Sequence, residues 1–193
     1  MHNYLKIMSE KIKAFIVNRN LLTTLISTVE FLLKEPRVEI IIFDQQSTYP
    51  PLLEYYNNCG VRVIYNNTNG GPYSTWGLRS EFNNNYFILA DSDCEYSGVP
   101  DDWLDKMIRT LKNTSAFKVG FSLSLDDLPE NNISQDVKNR EAVYWTERNE
   151  HGDWVADIDT TFALYRPHSG FSYRAVRLDK PYTIKHTLWY LTK

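Results

Sequence analysis

The sequence predicts an α/β fold, a mostly parallel sheet with helices on both faces in three layers. Three observations carry this. Short apolar runs alternate with segments of helical periodicity three times within about 65 residues. The runs are apolar nearly throughout, as strands buried on both faces are. Each ends on a polar or acidic residue, and in such sheets ligands bind beyond the carboxyl ends of the strands.

The elements follow in order. Ala14 to Asn18 reads as a buried strand that ends in Arg19-Asn20. Leu21, Leu22, Leu25, Ile26, Val29, Leu32 and Leu33 then recur at three- and four-residue spacing, a helix stopped by Pro36. Val38 to Phe43 is a second strand, closed by Asp44. Pro50-Pro51 opens a helix through Leu52, Leu53 and Tyr56, and Asn58-Cys59-Gly60 closes it. Val61 to Tyr65 is the third strand and Tyr86 to Ala90 the fourth. Between them, Asn69-Gly70-Gly71 reads as a turn before a helix that carries Arg79.

Beyond the fourth strand, Pro100 to Leu111 forms an amphipathic helix, and Val119 to Leu125 alternates like a half-buried strand. Leu128 to Asn139, polar and rich in Asn, reads as a loop near the site. Asp157 to Arg166 reads as a further strand that opens on two carboxylates. With 193 residues and no clear linker, a single domain is expected. Residues 1–13 would be a lead-in, with 14–100 and 101–193 as the two halves of the domain.

Composition excludes several classes. Hydrophobic residues are 42% and charged residues 23%, as in ordinary folded proteins. A net charge of −3 argues against a protein that tracks nucleic acid by its overall field. Cys59 and Cys94 are too few for a disulfide scaffold and suit a reducing compartment. Lys6, Glu10, Lys11 and Lys13 interrupt any signal-peptide core, and no stretch reaches transmembrane length. A cytoplasmic location is expected. Aromatic residues reach 14%, enough to build stacking platforms as well as a core, and Trp145, Trp154 and Trp189 are candidates to stack on a sugar.

Asp91-Ser92-Asp93 carries the chemistry. It sits where the fourth strand enters a loop, so two carboxylates can turn toward one divalent cation and hold it against a diphosphate. Asn18, Arg19, Asp44 and the Asn66 to Gly71 loop lie at the same edge and can converge on it. Gly70-Gly71 lets backbone approach a ligand closely, and Arg79 is a candidate phosphate contact. The segment matches neither the phosphate-loop nor the dinucleotide fingerprint. An acidic pair after a strand also occurs in haloacid-dehalogenase-like phosphatases, where Asp91 would be the nucleophile, but those place the pair near the N-terminus.

These residues, with Ile16-Val17-Asn18-Arg19, Phe43-Asp44-Gln45-Gln46-Ser47-Thr48, Ile158 to Arg166 and Lys185-His186-Thr187-Leu188-Trp189-Tyr190, give the chain a family likeness. It resembles the family 2-like, GT-A type nucleotide-sugar glycosyltransferases, whose fold is Rossmann-like. Within them it is most similar to small single-domain members with an Ile-Asp-Thr-Thr-Phe-Ala-Leu-Tyr-Arg segment, found in some bacteria and large DNA viruses. The resemblance implies sugar transfer from a nucleoside diphosphate sugar, a UDP-sugar favoured, to a hydroxyl of a glycan or glycoprotein acceptor, with inversion. It makes Asp91-Ser92-Asp93 the family's DXD motif, residues 14–100 the nucleotide-binding half and 101–193 the acceptor-side half; a non-catalytic nucleotide-sugar-binding module is the third reading.

The same resemblance assigns roles. Asp44 would accept a hydrogen bond from the base, with Asn18 and Arg19 lining the nucleotide cleft. Asp91 and Asp93 would hold Mn²⁺ or Mg²⁺, with His186 as a further ligand and Ser92, Gly70, Gly71 and Arg79 beside the nucleotide sugar. Asp159 would be the general base, with Asp157 as its substitute. Two departures stand out: one extra residue before Ser47, and Asp157-Ile158-Asp159 where the wider family has Glu-Asp.

Overall fold

The computed structural model describes residues 11–82, 84–130, 132–170, 172 and 174–190; most of the expected lead-in lies outside them. The first half alternates as read: β1 (Ile12–Asn18), α1 (Thr23–Leu33), β2 (Val38–Gln45), α2 (Pro50–Asn58) and β3 (Arg62–Asn66). A 3₁₀ segment (Pro72–Leu78) and the one-turn α3 (Arg79–Phe82) lead to β4 (Phe87–Asp91). Then come β5 (Cys94–Glu95), α4 (Trp103–Asn113), β6 (Lys118–Leu123), α5 (Asn132–Glu141), β7 (Trp154–Val155), β8 (Phe162–Tyr165) and β9 (Ala175–His186).

The strands form one sheet in the order β3-β2-β1-β4-β8-β6-β9-β5, with β7 also on β9. The first four are parallel, so Asn18 pairs with Asp44, and Val17 with Asp91, at one common edge. β8 enters antiparallel between β4 and β6. This brings the segment before Phe162 to the Asp91 edge, where Asp91 N–H donates to the Thr161 carbonyl.

Two apolar clusters fix the layers. On one face, Leu25, Val29 and Leu32 of α1, Leu52 of α2 and Leu104, Met107 and Leu111 of α4 pack with Ile16, Ile42, Ile88 and Phe121. The periodicity of these helices therefore marks one buried stripe each. On the other face, Phe15, Phe87 and Tyr165 meet Phe82 of α3, Trp76 and Ile158. That second layer is made of a 3₁₀ turn, one helical turn and extended chain, thinner than the full helices expected there. Gly120 of β6 makes it possible: a Cβ there would stand 2.1 Å from the Phe162 carbonyl oxygen and 2.8 Å from Ile158 Cδ1.

The second half departs from the sequence reading at three places. The expected loop at Leu128 to Asn139 contains helix α5, although Asn and Ser are poor helix formers. Tertiary contacts win there: Val137 is buried, and Glu141 pairs with buried Arg177 of β9 at 2.7 Å. The strand expected from Asp157 starts only at Phe162, so both acids lie in the chain that leads into it. The twelve-residue β9 was not foreseen, because Asp179 to Tyr182 interrupt its alternation where the register with β6 breaks.

Candidate active site

At the carboxyl edge the strand ends are joined by a buried polar relay. Ser92 Oγ donates to Asn18 Oδ1 at 2.6 Å, and Asn18 Nδ2 donates to the Tyr56 hydroxyl at 2.8 Å. Tyr56 in turn donates to Asp44 Oδ1 at 2.8 Å, while Asp44 Oδ2 accepts the Ser47 N–H at 3.0 Å. Asp44 is only 2% exposed, so the expected base acceptor is already engaged on both oxygens. A carboxylate has lone pairs to spare, and Ser47, half-buried, brings the relay to the surface. Burial, above all, and donation to Asp44 push the Tyr56 phenol well above its ordinary range. Next to the relay, Arg19 is exposed. Asn20 Oδ1 accepts the N–H groups of Thr48 and Tyr49 at 2.7 and 3.1 Å, which ties the loop after β1 to the start of α2.

The glycine-rich loop hangs on one side chain. Gln45 Oε1 accepts from Asn66 Nδ2 at 3.2 Å, Gly70 N at 3.1 Å and Ser74 Oγ at 3.0 Å. Gly71, with φ of 63°, turns the chain where a side chain would be strained. The turn delivers Tyr73, whose hydroxyl donates to Asp159 Oδ1 at 3.1 Å. A contact across 86 residues thus joins the loop after β3 to the acid proposed from the resemblance.

Asp91 and Asp93 flank Ser92 at the end of β4. Asp91 Oδ2 accepts from Thr160 Oγ1 at 3.1 Å. Burial first, and then the neighbouring Asp93 charge, raise the Asp91 carboxyl to about 7. Asp93 is met by His186, whose Nε2 lies 3.5 Å from Asp93 Oδ2, because β5 pairs Cys94 with His186. His186 Nδ1 is buried and without a hydrogen-bond partner, and its ring stacks on Trp189 at 4.9 Å. Among the described residues no three His, Cys, Asp or Glu side chains converge closely enough to hold a metal ion by themselves. Two hard carboxylates that repel one another, with an imidazole beside the second, nevertheless fit a divalent cation whose remaining ligands come from a diphosphate.

Asp157 and Asp159 are both exposed while Ile158 between them is buried, so the pair shares one side as the spacing predicts. Their surroundings differ. Asp159 meets Tyr73 and lies close enough to Asp91 to raise its carboxyl. Asp157 instead borders a separate cavity of about 680 Å³ walled by Tyr144, Asn149 and Arg174. Beneath the segment lies Lys118, 0% exposed, whose ammonium donates to the Asp159 carbonyl at 2.8 Å and to the Tyr165 hydroxyl at 3.2 Å. Burial pulls this ammonium down to about 8, against the opposing pull of Asp159 and Asp157. Arg177 Nε holds the Asp157 carbonyl at 2.7 Å.

Some expected residues fall elsewhere. Arg79 is exposed, and its guanidinium lies against Gly170, past the end of β8 remote from Asp91. α3 runs down the sheet to bury Phe82 and carries Arg79 away from the phosphate end. Trp145 and Trp154 pack on each other at 5.3 Å, Trp154 Nε1 donates to Asp179, and Arg148 lies over the Trp154 ring, so these two are occupied in structure. Only Trp189 stands beside the acidic loop. Sequence reading missed Tyr56 and Lys118. Each left a signal: a Tyr at a buried helical position needs a hydroxyl partner, and a lysine heading the run Val119-Gly120-Phe121 must find partners inside.

The model of the glycosyl transferase family 2 matches residues 14–170, from β1 through β8 and the turn after it. The chain belongs to glycosyl transferase family 2. As a glycosyltransferase it stands apart from the phosphatases considered above. Among solved structures it is similar to 4-diphosphocytidyl-2C-methyl-D-erythritol synthase from Anaerococcus prevotii DSM 20548, at 11% identity and TM-score 0.50, over 92% of this chain and 93% of that one. A second structure of a 4-diphosphocytidyl-2C-methyl-D-erythritol synthase aligns at 14% identity and TM-score 0.50, over 90% and 92% of the two chains. At this identity the likeness is one of fold. The glycosyltransferase GlyE of Streptococcus pneumoniae TIGR4 aligns at 12% identity and TM-score 0.37, over 74% of this chain and 41% of that one. No curated protein sequence matches the chain. No helix among the described residues of this glycosyltransferase is long and apolar enough to cross a membrane.

Proposed function

We propose that this single domain transfers a sugar from a nucleoside diphosphate sugar, with UDP favoured, to a hydroxyl of a glycan or glycoprotein, with inversion and with Mn²⁺ or Mg²⁺ as cofactor. The observation that carries the reading is the Thr160 to Asp91 hydrogen bond, which draws the segment bearing Asp159 to the acidic loop. Asp91 and Asp93 would hold the cation, with His186 beside Asp93, and the cation would neutralise charge on the departing diphosphate. The base of the donor would meet the Asp44 relay, and Gly70, Gly71 and Ser92 would line the path to the phosphates. Arg79, remote from this edge, has no part in it.

Asp159 takes the proton of the acceptor hydroxyl. As it does so, the acceptor oxygen bonds to the anomeric carbon and the bond from that carbon to the diphosphate oxygen breaks. Tyr73 donates to the same carboxylate, and the acceptor hydroxyl must share or replace that contact. Asp157, which borders another cavity while Tyr73 meets Asp159, is the weaker candidate for the base.

The test is thermal stabilisation by UDP, GDP and TDP, each with Mn²⁺ and with chelator, followed by Mn²⁺-dependent release of UDP from UDP-sugars. A specific ligand at 100-fold its dissociation constant adds about 2.7 kcal/mol. No metal-dependent shift with any nucleotide would overturn the reading, and binding without release across many acceptors would reduce the chain to a binding module.

A pH dependence follows from Asp91. With its carboxyl raised to about 7, the metal-free folded state carries an extra proton between the ordinary carboxylate range and neutrality. Stability without metal should therefore fall as pH rises through that window. Metal binding requires the ionised form, so Mn²⁺ affinity should rise with pH and level off above about 7. Calorimetric Mn²⁺ titrations between pH 5.5 and 8 would show the slope, and a flat profile would contradict it.

A further inference from the structure

We infer that Lys118 is a positioning residue for the transfer, fixing the main chain that presents Asp159; the inference rests on the reading of Asp159 as the base. Asp159 is exposed and its carboxylate is aimed at solvent and Tyr73, so its precision has to come from its backbone. Four bonds supply it. Arg177 Nε holds the Asp157 carbonyl, Lys118 Nζ the Asp159 carbonyl, Thr160 Oγ1 reaches Asp91, and Asp91 N–H reaches the Thr161 carbonyl. Three strands, β9, β6 and β4, thus grip four residues of the stretch from Asp157 to Thr161.

Lys118 is the member of this set whose presence stability alone does not explain. An ammonium wholly removed from water costs several kcal/mol before its partners repay it, and an apolar residue would fill the same volume at less cost. What an apolar residue lacks is a donor 2.8 Å from the Asp159 carbonyl. The ammonium is also braced from the other side by Tyr165, which stacks on Phe87 at 4.8 Å in the core. The carbonyl is therefore tied to the rigid sheet. Gly120, next but one along β6, lets Ile158 lie directly on that sheet, so the ammonium reaches the carbonyl across no intervening side chain.

A displacement of the base by about 1 Å can cost on the order of 10²-fold in rate. Lys118→Met should lower kcat for transfer about 10- to 100-fold, with the donor KM and Mn²⁺-dependent UDP binding within about threefold of wild type. The decisive measurement is a double-mutant cycle with Asp159→Asn. If Lys118 acts by placing Asp159, the Lys118→Met loss should largely vanish in the Asp159→Asn background. Lys118→Gln, which keeps a neutral donor, should lose less and serves in the same cycle if the methionine variant does not fold. An undiminished loss in the Asp159→Asn background, or a kcat within about twofold of wild type for both Lys118 variants, would overturn the inference while leaving the base intact. Unimpaired transfer by Asp159→Asn would instead overturn the base reading and this inference with it.

Discussion

Replacing Asp91 and Asp93 together by alanine is expected to abolish Mn²⁺-dependent stabilisation by UDP and to reduce transfer below detection. Removing one electrostatic donor to a developing charge costs roughly 10²–10³-fold in well-studied enzymes, and on the proposed reading this change would remove the anchor of a divalent cation. The effect on the fold should be modest, because two terms oppose each other. Deleting both charges relieves the repulsion that raises the Asp91 carboxyl, whereas the hydroxyl of buried Thr160 loses its acceptor; the main-chain bond from residue 91 to Thr161 survives. A folded protein with a melting temperature within a few degrees of wild type in the presence of chelator, with no response to UDP and Mn²⁺, is the expected pair of results. Retention of metal-dependent binding by the double variant would move the cation site elsewhere.

Asp159→Asn should separate binding from turnover. The amide can still meet Tyr73 and leaves the Lys118 contact to the carbonyl in place, so the site should keep its shape. It cannot accept a proton, and loss of a general base is worth roughly 10²–10⁴-fold. UDP binding with Mn²⁺ should be unchanged while transfer falls by that factor. Asp157→Asn is the control: Asp157 borders the separate cavity lined by Tyr144 and Arg174, and transfer should stay within about threefold of wild type. If the two variants exchange behaviour, Asp157 is the base.

Much of this was legible in the residues. The apolar runs that end at Asn18, Asp44 and Asp91 became β1, β2 and β4, because parallel strands in a buried sheet need no other pattern. Their convergence followed from topology alone. What stayed hidden depended on distant partners. Helix α5 is held by the pairing of Glu141 with Arg177, and no local propensity announces that. The alternation of Asp157 to Thr160 looked like a strand because the chain there is extended and half-buried, yet it lies over Gly120 on the sheet face instead of pairing. The placing of Arg79 beside Gly170 was hidden for a related reason: a helix of one turn gives no stripe from which to read its direction. Asp44 was given its role by the family resemblance, and only the fold reveals that Tyr56 and Ser47 already claim it.

The chain of contacts from Ser92 through Asn18 and Tyr56 to Asp44 has a bearing on how such an enzyme can change its donor. A mutation at Asp44 that suits a different base strands the buried Tyr56 hydroxyl, at about 1–3 kcal/mol for a buried group left unpaired, and frees the half-buried Ser47 amide. The disturbance does not stop there, since Tyr56 also orients Asn18, which holds the serine between the two acids. On the proposed reading, donor preference and cation grip would therefore be one inherited unit. A laboratory library that varies position 44 alone should yield crippled proteins, and productive solutions should arise only where positions 18, 44, 56 and 92 are allowed to move together.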